Sequence, residues 1–186
     1  MDLTSFSHGQ IHSKLWLCEK LEPYIPPHAT VGILGSWYNV LGFMLMVRNP
    51  KKYTSIIGLD IDPDVKPFAD KICEAWTIQP TVRITNRTQD VSNVDFNGYQ
   101  VIINCSVEHM ENMNWFHKIP RNTVVCLQSA GTNDYTKIEE WKITNPNHTF
   151  EEFKEKYPLS SYYLRDEIKI TYDDWWYSRY MTIGIK

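Results

Sequence analysis

The sequence predicts an α/β fold, a three-layer sandwich with a mostly parallel, seven-stranded sheet and an antiparallel C-terminal hairpin. Three observations lead there. Short apolar runs such as "TVGILG", "TSIIGLDI", "YQVIINCS" and "NTVVCLQS" are continuous, as in strands covered on both faces. Stretches with helical spacing stand between them, and such alternation implies parallel strands. Near the C-terminus the pattern changes. "SYYLRDEIKITY" and "SRYMTIGIK" read as two strands joined by "DDWWY", and in the second Met181, Ile183 and Ile185 alternate with Tyr180, Thr182 and Gly184.

The elements follow in order. "QIHSKLWLCEKLEPYI" places Ile11, Leu15, Cys18 and Leu21 on one helical stripe, and "PPHAT" stops it because proline cannot continue the ladder. "TVGILG" is the first strand. "NVLGFMLMV" is apolar nearly all round, as in a helix buried against a sheet. "TSIIGLDI" is the second strand. "DPDVKPFADKICEAW" is a helix that Asp62 can cap, with Pro63 at its first position and a start a residue or two late to admit Pro67. "TVRIT" and "YQVIINCS" are the third and fourth strands. "MENMNWFHKI" is a short helix, "NTVVCLQS" the fifth strand, and "TFEEFKEKYP" another short helix.

The chain has 186 residues, enough for one domain with a sizeable core: residues 1–29 as a helical extension and 30–186 as the core. With 7 Trp, 11 Tyr and 7 Phe the composition is that of a folded protein. A net charge of -3 gives no global field toward nucleic acid or anionic membrane. The four cysteines, Cys18, Cys73, Cys105 and Cys126, form no CxxC pair and read as free thiols in a reducing compartment. The opening "MDLTSFSHGQ" lacks the pattern of a signal peptide, and no apolar run approaches a membrane span, so a cytoplasmic protein is expected. The six histidines show no metal-ligand spacing, and Asp60, Asp62 and Asp64 do not open a calcium loop, since Val65 and Lys71 stand where that loop needs Gly and Glu.

The turn "VGILGSWYN" carries the functional argument. In an open parallel sheet, ligands bind beyond the carboxyl ends of the strands, where strand order reverses. A dinucleotide fold writes the first such turn as G-x-G-x-x-G; here Gly35 is followed by Ser36, Trp37 and Tyr38, and no P-loop is present. A turn this bulky does not hug a pyrophosphate. It can flank a ligand without phosphates, with aromatic faces toward a cation; equally, Trp37 and Tyr38 can pack the turn against the first helix. Asp60 of "GLDID" ends the second strand, 25 residues after Gly35, where a carboxylate can accept both hydroxyls of a ribose. A ribose without a pyrophosphate points to S-adenosylmethionine.

Over residues 30–186 this pattern resembles the class I, Rossmann-like S-adenosylmethionine-dependent methyltransferases. "VGILGSWYN" matches the family's first motif at Gly35, without its later glycines, and Asp60 matches the ribose-binding acid. In "TNRTQDV", Arg87 stands where the family often has an acid for the adenine amine, leaving Asn86 or Asp90 for that contact. "VIINCSVEHM" is similar to the fourth motif, with Asn104, Ser106, Glu108 and His109 as acceptor-side candidates. The [DNS]-P-P-[YFW] pattern of amine methylation is absent, Cys105 and Ser106 replacing the prolines. "GSWY", "HSKLW" and "NCSVEHM" together resemble small, divergent methyltransferase-like proteins of phages and bacteria.

The resemblance implies methyl transfer to a small molecule or a partner-presented acceptor, with RNA and protein still open. Gly35, Ser36, Trp37 and Tyr38 would border the methionine part of the cofactor, Asp60 would hold the ribose, Ile61 would pack on the adenine, and Glu108 and His109 would serve as acid and base or orient the helix that follows. Ser13 and Lys14 read as a solvated helix face, with closure over the cofactor as the alternative. "YDDWWYSRY" reads as a lid, a partner surface or a cover for the sheet edge. Two rivals stand beside this reading: a methyltransferase-like binding module without turnover, and a nicotinamide-dependent oxidoreductase.

Overall fold

The computed structural model describes residues 3–74, 82–132 and 134–186. Seven strands form one sheet: β1 (Ala29–Leu34), β2 (Tyr53–Asp60), β3 (Arg83–Thr88), β4 (Val101–Asn104), β5 (Val124–Gly131), β6 (Ser161–Thr171) and β7 (Trp176–Ile185). Their order is β3-β2-β1-β4-β5-β7-β6. The first five pair in parallel, and β7 lies antiparallel between β5 and β6. The predicted fold class is the observed one. Order reverses between β1 and β4, which opens a crevice at their carboxyl ends.

Side chains alternate across these apolar strands, so each strand feeds two cores. Val31, Ile33, Val101, Ile103 and Cys126 enter the core under α1 (His8–Leu21) and α2 (Val40–Arg48). Leu34, Ile102, Val125 and Leu127 enter the opposite core, beneath α4 (Asn114–Lys118) and α6 (Phe150–Lys156). Gly32 faces that second core. A Cβ there would lie 2.9 Å from the Tyr99 ring and the Ile102 side chain, so glycine admits a close aromatic approach. α6 begins as its sequence suggests, with a reciprocal capping box between Thr149 and Glu152.

Several elements differ from expectation. Helix α3 (Lys66–Glu74) starts later, because the Asp62 carboxylate accepts from the Asp64 N–H and closes a turn instead of capping a helix. Pro67, not Pro63, is thus in the first helical turn. The expected continuation through "AW" and the first residue of "TVRIT" lie outside the described residues. α2 is not buried all round: Val47 is exposed. α4 spans only five residues, preceded by a 3-10 turn over Val107–His109. A further helix, α5 (Tyr135–Glu140), forms where no periodicity announces one; Asp134 caps it by accepting from the Thr136 N–H. In α1 the buried face is rotated away from the apolar stripe. Leu15 is 46 % exposed, whereas Ser13 and Lys14 are buried. The hairpin is tighter than "DDWWY" implies, with Tyr172 donating to the Trp175 carbonyl and β7 starting at Trp176. Among the described residues, no helix is long and apolar enough to cross a membrane.

Candidate functional site

The turn after β1 holds three left-handed residues within five: Gly35, Trp37 and Asn39, with φ of 59°, 51° and 53°. Glycine takes this conformation freely; tryptophan does so only when its surroundings impose it. Asp60 supplies the constraint. Its Oδ2 accepts from the Trp37 N–H at 2.7 Å, and its Oδ1 accepts from the Asp62 N–H at 3.1 Å. The Ser36 N–H bonds the Leu59 carbonyl, so the turn is tied to the end of β2 twice. The half-buried strand-end carboxylate therefore has a structural task as well as a place in the cleft wall.

A cleft of about 440 Å³ opens beside this turn. Gly35, Trp37, Asp60 and Ile61 line one side, and Asp90, Ser106 and His109 also reach it. Gly35 faces the β4 loop: a Cβ on it would lie 3.1 Å from Met110 Cε and 3.8 Å from Ser106 Oγ. Sequence reasoning missed the apolar wall of Val91, Met110 and Trp115. Met110 and Trp115 had a local signal, since both fall in the helix expected after the fourth strand, whereas Val91 had none. The Trp115 indole Nε1 is buried and has no hydrogen-bond partner.

Four predicted site residues are not brought to the cleft. Tyr38 is buried with Val40 and Val65 and meets the Phe68 ring edge-on at 5.7 Å, so of the two aromatics only Trp37 borders the opening. Ser36 is buried beneath the turn. Asn104 is fully buried and uses Oδ1 to accept from the Ser106 N–H, which shapes the loop. Glu108 points inward from the 3-10 turn that leaves its neighbour His109 exposed. Its Oε1 accepts from the Ala130 N–H and from Arg179 Nη1 at 2.9 Å. Asn86 is turned away too. It accepts from Asn39 Nδ2 and donates to Asp70, and it does not line the cleft. Asp90 keeps its cleft position but spends its carboxylate on Ser92 and Asn93.

The expectation of a solvated face at Ser13 and Lys14 is corrected. Ser13 Oγ donates to Gln128 Oε1 at 3.0 Å and accepts from Arg179 Nε at 3.1 Å. Arg179 also reaches the Cys105 carbonyl. Burial opposes the Arg179 charge, yet the facing Glu108 leaves its pKa above the ordinary arginine value. Among the described residues Lys14 bonds only Gln10, at 2.5 Å to Oε1, and has no carboxylate partner; burial pushes its pKa down to about 8.

Lys14 sets a test. Between about pH 8 and the ordinary lysine range the unfolded chain binds the proton more tightly, so stability rises with pH across that window. Below pH 8 the full cost of the buried cation is present. Lys14→Met is expected to stabilise the protein at pH 7 by up to about 3 kcal/mol, with the gain shrinking toward pH 10. Urea unfolding of both proteins at the two pH values measures it.

No protein-family model and no curated protein matches the chain in sequence. Solved structures match it in fold. An N-methyltransferase, NodS, from Bradyrhizobium japonicum superposes with a TM-score of 0.68 at 12% identity, over 95% of this chain and 97% of that one. Magnesium protoporphyrin IX methyltransferase from Synechocystis, with bound S-adenosylmethionine, gives 0.65 at 12% identity, over 95% and 79% of the two chains. A tRNA methyltransferase from Bacillus subtilis gives 0.57 at 15% identity, over 92% and 65%. The chain is therefore similar in fold to class I methyltransferases that act on different kinds of acceptor.

Proposed function

We propose that the cleft binds S-adenosylmethionine and that the protein transfers its methyl group to an acceptor, releasing S-adenosylhomocysteine. The observation that carries this reading is Asp60, at the carboxyl end of β2 and on the wall of the cleft that opens beside the switch point. Each of its carboxylate oxygens accepts one backbone N–H, which leaves lone pairs on both for two ribose hydroxyls. Ile61 beside it is 69 % exposed, an apolar side chain at the mouth of the cleft that an adenine ring would cover. Trp115 and Val91 offer further apolar wall. The bulk of Trp37, where a pyrophosphate cradle needs bare backbone, favours a phosphate-free cofactor.

When bound, the sulfonium supplies an activated methyl group open to in-line attack. The chain's own part is positioning. Gly35 and Trp37 border the methionine part of the cofactor, held by the buried Ser36 and Tyr38. Asp60 holds the ribose. Ser106 and His109 face the acceptor side. His109, with the proton on Nδ1, donates to the Lys142 carbonyl at 3.3 Å, and this orients Nε2 as a base for an acceptor that must lose a proton. The acceptor is a small molecule or a group presented by a partner; the fold neighbours span small-molecule and tRNA methylation. The likeness of "GSWY" and "NCSVEHM" to small phage and bacterial methyltransferase-like proteins, and a cytoplasmic setting, belong to the same proposal.

One observation favours a second reading. Withdrawal of Asn104 and Glu108 into the interior removes two of the four expected acceptor-side groups, as in a module that binds cofactor without turnover. Melting the protein with S-adenosylmethionine, S-adenosylhomocysteine, NAD and buffer tests the shared step. Ligand at ~100 times the dissociation constant adds about 2.7 kcal/mol to native stability. The proposal expects a shift with both adenosyl compounds and none with NAD. A shift with NAD alone revives the oxidoreductase, and no shift with any of them sinks cofactor binding.

A further inference from the structure

Four half-buried aromatic rings gather beyond the carboxyl end of β5, outside the cleft. Tyr172 and Trp175 stack at 4.4 Å between ring centroids, in the turn that joins β6 to β7. Tyr177 of β7 lies 5.8 Å from Trp175, and Trp141, just past α5, meets Tyr177 edge-on at 5.1 Å. The group is a built corner and not loose surface. Gly9 of α1 fits against it so closely that a Cβ would sit 2.6 Å and 2.7 Å from the Tyr172 and Tyr177 hydroxyls.

The corner already holds an ammonium. Lys137 Nζ stands 4.7 Å from the Trp175 ring centroid. The same ammonium bonds Glu140 at 2.7 Å, and Asp134 and Asp174 add to its negative surroundings. Aromatic faces and carboxylates around one site form the chemistry that recognises alkylammonium groups. A chain of neighbouring residues also leads from the corner to the loop after β4 that borders the cleft. Tyr177 is two residues from Arg179, whose guanidinium grips Glu108, which lies between Ser106 and His109.

We propose that this corner recognises an alkylammonium group of a small molecule, and that Lys137 occupies the site until such a ligand displaces it. Its assignment to the methyl acceptor rests on the methyltransferase reading; the binding itself does not. Trp175 supplies the cation-binding face, Tyr172 and Trp141 fix that ring, and Glu140, freed of Lys137, supplies charge.

The test is a titration of 15N-labelled protein with tetramethylammonium chloride, read at the indole N–H signals. Trp141→Phe and Trp175→Phe assign the two relevant signals among the seven tryptophans. Saturable shifts of Trp141 and Trp175, absent with potassium chloride at equal ionic strength, are expected. Lys137→Ala, a change at a partly exposed lysine, should tighten binding about threefold by removing the resident cation. No saturable shift in either the wild type or Lys137→Ala overturns the proposal, as does a response to adenosine monophosphate in place of the cation. Binding of tetramethylammonium without any S-adenosylhomocysteine binding leaves this site standing and removes its link to methyl transfer. The reverse result removes the site alone.

Discussion

Glu108→Ala is expected to destabilise the protein by about 3–5 kcal/mol, the cost of stranding a buried charge. Glu108 and Arg179 are 2 % and 4 % exposed, and no other carboxylate pairs with that guanidinium among the described residues. Alanine would also leave the Ala130 N–H without the acceptor it has in Glu108 Oε1. Lys14 lies close by, so the variant would bury two cations with no anion between them. The double variant Glu108→Leu with Arg179→Met removes both charges and should recover most of the loss, because well-packed apolar residues often replace a buried pair at little cost. Denaturant unfolding of the single and double variants measures the difference. A single variant as stable as the wild type would place Glu108 in solvent and restore it to the list of acceptor-side groups.

The second large effect falls on ligand binding. Asp60→Ala is expected to weaken S-adenosylhomocysteine binding ~10- to 100-fold, the worth of hydrogen bonds to a charged group at about 1.5–3 kcal/mol. The side chain also anchors the Trp37 N–H, so alanine relaxes the left-handed turn as well. Asp60→Asn separates the two roles. Its amide oxygen still accepts from Trp37, at the cost of the acceptor that Oδ1 offers the Asp62 N–H, whereas the charge that favours ribose hydroxyls is gone. An affinity and a stability between those of the wild type and the alanine variant are the expected result for asparagine.

Much of the fold was legible because its signals are local. Continuous apolar runs mark strands covered on both faces, and Thr149 with Glu152 marks a helix start within four residues. Asp60 was legible for the same reason: a lone acid ending an apolar strand. What escaped the sequence is long-range and polar. Arg179 and Glu108 are 71 residues apart, and Ser13 and Gln128 are 115 apart. Nothing in either neighbourhood announces the other. The face of α1 was misread for this reason: its partners are Gln128 and Arg179, so the buried stripe includes Ser13 and Lys14 and leaves Leu15 outside. The turn "GSWY" divides its two aromatics between packing and opening, and periodicity cannot tell which ring goes where. That choice is made by left-handed backbone at Trp37, held by a carboxylate 23 residues away.

The central claim is that the cleft at the β1–β4 switch point holds an adenosyl cofactor on Asp60. Calorimetric titration of S-adenosylhomocysteine into the wild type, Asp60→Ala and Asp64→Ala tests it most directly. Asp64 lies on the same loop, is exposed and does not line the cleft, so its variant controls for loss of charge. The account predicts one site per chain in the wild type and Asp64→Ala, and binding weakened by the stated factor in Asp60→Ala. Equal binding by all three proteins, or none by the wild type, would contradict it.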